Sequence, residues 1–189
     1  MTAGGRWDAL FADLEAQAAA AGAAERAAEV EERTRGELAA LGTVDRLRAA
    51  DGTALRLRIA GARSLTGVVR RVGPDWLLLA EDAGREAIVP LAAVLGVRGL
   101  SRYSAVPATA GAVASRLGLR SALRGLARDR SPLRLELTDG TDLSATIDRV
   151  GGDFVEVAVH AAGEPRRRHD VAEVELVPFA ALAAVRRSV

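Results

Sequence analysis

The chain repeats one stretch: Arg71-Val72-Gly73-Pro74-Asp75-Trp76 returns 78 residues later as Arg149-Val150-Gly151-Gly152-Asp153-Phe154. Around it, 43–79 aligns without a gap onto 121–157. A second block returns at an offset of 88, with 88–94 against 176–182, so the second copy holds a ten-residue insertion. Two copies at this spacing indicate duplicated small domains, because the period is too long for an ordinary solenoid repeat.

Each copy has the pattern of one short helix followed by five short antiparallel strands. Thr43 and Ser121 are suited to N-cap the two helices. Leucine and isoleucine alternate with arginine over 55–59, which is typical of a strand with one buried face. Glycine-containing pairs such as Asp139-Gly140 mark turns. The other strands are predicted near 65–72, 75–80, 85–90 and 94–98, and in the second copy near 133–137, 143–150, 153–160, 171–178 and 182–186. Five short strands suit a small closed barrel, which removes exposed sheet edges.

The N-terminal segment predicts helix. Trp7, Leu10, Phe11 and Leu14 fall on one helical face, and a second helical stretch near 23–41 is rich in glutamate and arginine. This segment is either a plain helical appendage or a docking and oligomerisation arm. The fold predicted for the whole chain is therefore α+β, with a helical arm at 1–42, a first five-stranded barrel at 43–102, a linker and helix at 103–120, and a second barrel at 121–189.

The composition limits the functions that this chain can have. It has 189 residues and no cysteine, which excludes disulfides, thiolate zinc sites and a cysteine nucleophile. All 26 basic residues are arginine, as in proteins with a high-GC bacterial coding bias, so their number alone does not indicate nucleic-acid binding. No apolar run approaches the roughly 20 residues of a membrane span, and no signal sequence is evident. We expect a cytoplasmic protein that does not bind the membrane.

Motifs that carry catalysis are missing from the sequence: it has no G-x-S-x-G, H-E-x-x-H, Walker loop or dinucleotide fingerprint. The two histidines lie nine residues apart, without a third ligand at a fitting spacing, which is a poor metal pattern. The sequence predicts a protein that is not an enzyme and needs neither a cofactor nor a metal.

The stretch Gly67 to Leu79, Gly-Val-Val-Arg-Arg-Val-Gly-Pro-Asp-Trp-Leu-Leu-Leu, resembles the first motif of the Sm-like family, which includes the bacterial Hfq proteins. The family places a glycine in a bent second strand and then an aspartate turn into an apolar third strand. The resemblance covers 43–98 and 121–187 and implies Sm-like barrels, although small barrels of the SH3 type fit the strand pattern nearly as well. It also implies RNA binding, or ring assembly by strand pairing.

Arginines in the second half of the chain are the candidates for nucleic-acid contacts. Four of them fall at i, i+4, i+8 and i+12 and would form one basic stripe if a helix ran through Gly118; three more, with His169, lie in the insertion of the second copy. Such residues could contact phosphates. The candidates are Arg116, Arg120, Arg124, Arg128, Arg166, Arg167, Arg168 and His169.

An apolar surface is predicted on the outside of the first copy. Trp76, Leu78 and Val68 point the same way, and so large an apolar surface needs cover. We expect it to be covered by the helix face of Trp7, Leu10, Phe11 and Leu14 or by another barrel. These seven residues are the candidate interface.

Two functions remain open. The first is binding of nucleic acid, RNA before DNA, through the arginine-rich helix and loop. The second is a non-catalytic assembly module that associates with itself or with a protein partner. The low aromatic content favours the second, because single-stranded nucleic acids usually stack on aromatic side chains. The arginine stripe favours the first, and an Sm-like protein that binds nucleic acid is the function that we predict, with the assembly module as the alternative.

Overall fold

The computed structural model describes residues 4–101, 117–160 and 173–187. The chain divides into two compact units, Met1–Leu41 and Gly42–Val189. The first unit is helix α1 (Gly4–Ala40). The second contains helices α2 (Thr43–Arg48) and α3 (Leu119–Asp129). Its strands are β1 (Ala54–Ile59), β2 (Arg63–Val72), β3 (Trp76–Ala80), β4 (Glu86–Pro90), β5 (Val94–Arg98), β6 (Leu133–Leu137), β7 (Asp142–Val150), β8 (Phe154–Val159), β9 (Glu173–Pro178) and β10 (Leu182–Arg187).

Helix α1 is one continuous helix of 37 residues, where the sequence suggested two stretches separated at Gly22. Glycine inside a helix costs only about 1 kcal/mol relative to alanine, and the surrounding alanine-rich sequence favours helix on both sides of it. The short helices also begin differently from the prediction. Gly42 and Gly118, rather than Thr43 and Ser121, occupy the N-cap positions.

The ten strands form a single open antiparallel sheet, so the prediction of two closed five-stranded barrels is wrong. Their order is β5-β1-β2-β3-β4-β10-β6-β7-β8-β9. Closing a five-stranded copy would require its fourth strand to pair with its fifth. Instead β4 pairs with β10, the fifth strand of the other copy. The 3-10 turn Leu91–Ala93 directs β5 onto β1.

Both copies nevertheless have the same internal strand order, fifth-first-second-third-fourth. Equivalent residues also pair in the same register: Leu57 lies opposite Val97 in the first copy, as Leu135 lies opposite Val185 in the second. The offsets of 78 and 88 found in the sequence therefore relate equivalent positions in the folded sheet.

Two hydrophobic cores are built on this sheet. The first contains the inward residues of β1 to β4, with Leu47 from α2. The second contains the inward residues of β6 to β10, with Leu119 and Leu123 from α3. Each core also takes side chains from the other copy: Ala183 and Ala184 lie in the first core, and Trp76 and Ile88 lie in the second. The copies therefore share their cores rather than merely adjoin.

The repeated stretch is a tight turn with an aromatic ring lying over a glycine. The N–H of Gly73 donates to the carbonyl of Trp76 at 2.8 Å, and Gly151 donates to Phe154 at the same distance. A Cβ on Gly73 would lie 2.6 Å from Cδ1 of Trp76, which is closer than real side chains approach. Glycine is therefore required in this stretch by the ring that follows it.

A candidate assembly interface

The junction between the copies is centred on strands β4 and β10. Val185 lies opposite Ile88, and Arg186 lies opposite Ala87. Because directly opposed residues share a face, Ile88 points away from its own core and into the core of the second copy, beside Val185. At this point the sheet passes from one core to the other, so the outer face of β4 is the inner face of the second copy.

The turn before β3 contacts the start of helix α3. The indole Nε1 of Trp76 donates to the carbonyl of Leu117 at 2.7 Å, and the ring is only 6% exposed. The carboxylate of Asp75 accepts the backbone N–H of Leu119 at 2.8 Å. A carboxylate at a helix N-terminus satisfies an otherwise unpaired donor and interacts favourably with the helix dipole. The first copy thus caps the helix of the second.

Charged side chains form a network across the same junction. Arg186 donates to both carboxylate oxygens of Glu81, at 2.7 and 3.0 Å, and also pairs with Glu136. Arg63 of β2 reaches Glu136 at 3.6 Å and Asp142 at 2.9 Å. Glu136 is almost completely buried, and a buried carboxylate is tolerated only when it is paired. The arginines on both sides of the junction supply that pairing.

The carboxylate of Asp142 belongs to this network. Partial burial raises the pKa of Asp142, but hydrogen bonds from the guanidiniums of Arg134 and Arg63 outweigh that effect and hold the pKa below its ordinary value. The neighbouring turn residue Asp139 also has a lowered pKa, because its carboxylate accepts the backbone N–H of Thr141 at 2.8 Å. Both acids therefore keep their negative charge to lower pH than a free aspartate.

The same sheet ends in two edges, β5 and β9, which pair on one side only within the described residues. β5 is the fifth strand of the first copy, and β9 is the fourth strand of the second. The junction also joins a fourth strand to a fifth strand of the other copy, namely β4 to β10. Their residues are exposed where the equivalent residues at the junction are covered. Leu95 is 57% exposed, whereas its equivalent Ala183 is fully buried. Leu176 is 54% exposed, whereas its equivalent Ile88 is 8% exposed.

The two edges carry opposite charge. A pocket of about 230 Å³ lies beside β5 and is lined by Arg56, Arg58 and Arg98. A larger pocket, of about 360 Å³, lies at the junction between the copies. None of these three arginines forms an ion pair with a described residue. The opposite edge, β9, carries Glu173 and Glu175.

The second copy adds acids around the arginines that it shares with the first. The equivalents of Arg56 and Arg98 are Arg134 and Arg186, but the equivalents of Arg58 and Ser64 are the acids Glu136 and Asp142. Arg134 donates to Asp142 at 2.8 Å. The excess of positive charge on the β5 edge is therefore a feature of the first copy and is not shared by the second.

Helix α3 carries three of the arginines predicted to contact nucleic acid. It begins at Leu119, so no helix runs through Gly118 and the predicted stripe is split there. Arg120, Arg124 and Arg128 are exposed along α3, opposite the buried Leu119 and Leu123. The other candidates, Arg116, Arg166, Arg167, Arg168 and His169, lie outside the described residues.

The predicted interface residues are divided between the two units. Trp7, Leu10, Phe11 and Leu14 are exposed along α1, and their role as an interface stays a prediction. In the second unit, Trp76 is buried in the second core and Leu78 packs against it, while Val68 of β2 is half-buried opposite Ala80. The sequence pointed to this apolar surface but missed the charged residues around it, namely Arg63, Glu81, Glu136, Asp142 and Arg186.

Other kinds of site find little support in the described part of the chain. It contains no cluster of three or more histidine, cysteine, aspartate or glutamate residues suited to hold a metal ion. Within the same ranges, no helix has the length and apolar character needed to cross a membrane. Comparisons with protein-family models, curated proteins and solved structures found no match to this chain.

Proposed function

We propose that this protein is a non-catalytic assembly module that associates through the two open edges of its sheet. The observation that carries the proposal is the β4–β10 junction, in which a fourth strand pairs with a fifth strand from the other copy. The described part of the chain has one further strand of each kind, β9 and β5, and both lie at an edge of the described sheet. An unpaired edge strand is a ready template for pairing with another chain.

Both edges expose apolar side chains, which pairing with another chain can bury. Leu95 of β5, and Val174 and Leu176 of β9, are all more than half exposed. The register of each fifth strand against its first strand is irregular at one point. This irregularity does not prevent edge pairing, because β10 has it and still pairs with β4. The relation to Sm-like proteins, whose rings are built by strand pairing, is part of this proposal.

The mass of the protein in solution tests the proposal. Light scattering coupled to size exclusion should give a mass above the 19.7 kDa of one chain. Leu176→Arg places a charge on the exposed face of β9 and should reduce the association. The matched control is Leu38→Arg, because Leu38 is 65% exposed on α1. A monomeric protein at every soluble concentration, or dissociation by the Leu38 variant alone, would contradict assembly through the sheet edges.

Nucleic-acid binding is the second candidate function, and one observation favours it. Arg120, Arg124 and Arg128 project from one helix, are exposed and have no ion-pair partner among the described residues. Fluorescence anisotropy with short single-stranded RNA and with duplex DNA, titrated across salt, tests this function. A variant with alanine at all three positions should bind more weakly, and its salt slope should fall by about one for each arginine that touches a phosphate.

A matched variant controls for the loss of charge in that experiment. Alanine at Arg26, Arg33 and Arg35 removes the same charge from exposed positions on α1. If α3 binds nucleic acid, the α3 variant loses affinity and the α1 variant keeps it. Equal losses would indicate a nonspecific effect of net charge, and absence of binding at low salt would exclude this function.

A further inference from the structure

The pocket of about 230 Å³ beside β5 lies on the outer face of the sheet, away from the first core. Its two arginines on β1, Arg56 and Arg58, alternate with the buried leucines and isoleucine of that strand. Arg98 of β5 lies directly opposite Arg56. Like charges in directly opposed positions of an antiparallel pair are destabilising. The first copy thus holds positive charge in an arrangement that a bound anion would make favourable.

The second copy shows how such a pair of arginines is satisfied. The equivalents of the opposed pair are Arg134 and Arg186, which also lie directly opposite each other. Asp142 accepts a hydrogen bond from Arg134 at 2.8 Å, and Glu136 pairs with Arg186. The second copy therefore compensates its two arginines with two carboxylates of its own.

The first copy has neither of these acids. In their places it has Arg58 and Ser64, so one acid is replaced by a third guanidinium and the other by a hydroxyl. The guanidinium of Arg58 donates to the carbonyl of Leu95 at 3.2 Å, and that of Arg56 donates to the hydroxyl of Thr66 at 3.4 Å. These neutral acceptors orient the two groups without compensating their charge. The described residues that line the pocket include three arginines and no carboxylate.

We propose that this pocket binds a diphosphate group, either as free inorganic pyrophosphate or as part of an organic ester. Guanidiniums bind phosphate oxygens through paired N–H donors, and three of them suit an anion with several negative charges better than one carboxylate. The hydroxyl of Ser64 can donate a further hydrogen bond. The pocket is smaller than the roughly 300 Å³ at which sites for drug-sized ligands begin, which suits a compact charged group. This binding is independent of the proposed association through the sheet edges.

Isothermal titration calorimetry of the full chain with inorganic pyrophosphate tests the site. Binding should be saturable and should weaken with added salt, because salt screens exposed charges. The decisive variant carries Arg58→Glu together with Ser64→Asp, which installs the acids of the second copy. It should lose pyrophosphate binding by tenfold or more and should melt no lower than the natural protein, because the new carboxylates compensate the opposed arginines. Arg33→Glu with Thr34→Asp makes the same change of charge at exposed positions on α1 and should leave binding unchanged.

A second variant changes the shape of the pocket but none of its charges. The Cβ added by Gly96→Ala lies 3.5 Å from Nη2 of Arg58, in ordinary contact with the guanidinium. The extra methyl group narrows the pocket and should weaken the binding of pyrophosphate. Unchanged affinity in this variant would contradict binding at this place.

Adenosine diphosphate distinguishes the two sources of the group. Binding of pyrophosphate alone assigns the free ion, and binding of the nucleotide with equal or higher affinity assigns an ester. Succinate, which has two carboxylates, should bind at least about tenfold more weakly than the preferred diphosphate. No saturable binding of either diphosphate, equal losses in the Arg58 and Arg33 double variants, or binding of single-stranded RNA without either diphosphate would overturn this inference. None of these outcomes bears on the mass of the protein in solution, which tests the proposed function separately.

Discussion

Replacing Gly73 by alanine should loosen the junction between the two copies, because the ring of Trp76 lies directly on this glycine. An added Cβ would be 2.6 Å from Cδ1 and 2.8 Å from Cε2 of the indole. Carbon atoms pack at about 3.5–4.0 Å, so the ring or the turn has to move by roughly 1 Å. The ring has little freedom, because it is buried in the second core and its Nε1 donates to Leu117.

The cost follows from these two constraints. Overpacking a well-packed site costs about 1–3 kcal/mol. A shift of this size also breaks the hydrogen bond to Leu117, which contributes about 0.5–1.5 kcal/mol. We expect Gly73→Ala to lower the free energy of unfolding by roughly 2–4 kcal/mol. Urea unfolding followed by far-ultraviolet circular dichroism should show a lower midpoint with an unchanged slope.

The second copy provides matched controls for this measurement. Gly151→Ala meets the ring of Phe154 at 2.6 Å from Cζ, but Phe154 is only half-buried and can turn away, so the loss should be smaller. Gly152 has no heavy atom within 4 Å of an added Cβ, and its alanine variant should stay within about 0.5 kcal/mol of the natural protein. If the Gly73→Ala variant is as stable as the Gly152→Ala variant, the ring of Trp76 does not pack tightly on Gly73 as described here.

Three other substitutions have definite expected outcomes. Gly125→Ala, in α3 with no atom within 4 Å of the new Cβ, should raise the free energy of unfolding by about 0.5–1 kcal/mol in thermal or urea unfolding; a destabilised variant would contradict the open environment of this position. Because the folded pKa of Asp142 is lowered, its contribution to stability is present above the unfolded pKa of about 3.9 and disappears as the pH falls through the folded pKa. Asp142→Asn should therefore flatten the stability profile in that acidic range, and an unchanged profile would show that Asp142 does not contribute to it. Trp76→Glu buries an unpaired charge and should cause unfolding or aggregation, measured by melting and size exclusion; native-like behaviour would refute the burial of Trp76.

Local sequence predicted the positions of the strands well, but it did not predict which strands pair at the end of each copy. The fifth strand, expected at 94–98, is β5 (Val94–Arg98), and the buried leucines of β1 alternate as expected. Whether β4 pairs with its own fifth strand or with that of the other copy depends on residues far apart in the chain. Both arrangements bury the same alternating pattern, so periodicity cannot distinguish them.

The candidate site was predicted only in part, because it also depends on pairing between strands that are far apart in the chain. Trp76 and Leu78 were identified because an apolar run in β3 leaves side chains on the face away from its own core. The partners of Glu136 could not be identified, because its sequence neighbours predict only an outward-facing charge on a strand. Arg186 reaches Glu136 through the pairing of β10 with β6, and Arg63 reaches it only when the second copy packs against the first. Pairing between distant strands determines that network.

The differences between the copies also favour one strand pairing at the internal junction. The junction within the chain places Glu81 of the first copy against Arg186 of the second, and Arg63 against Glu136 and Asp142. Discrimination between similar partners requires unfavourable alternatives as well as favourable contacts. If β10 were displaced from β4 by a β5 strand, Glu81 would still face an arginine, but Arg63 would meet Arg58 where it now meets Glu136. That repulsion favours β10 at the internal junction and leaves β5 for the neighbouring chain.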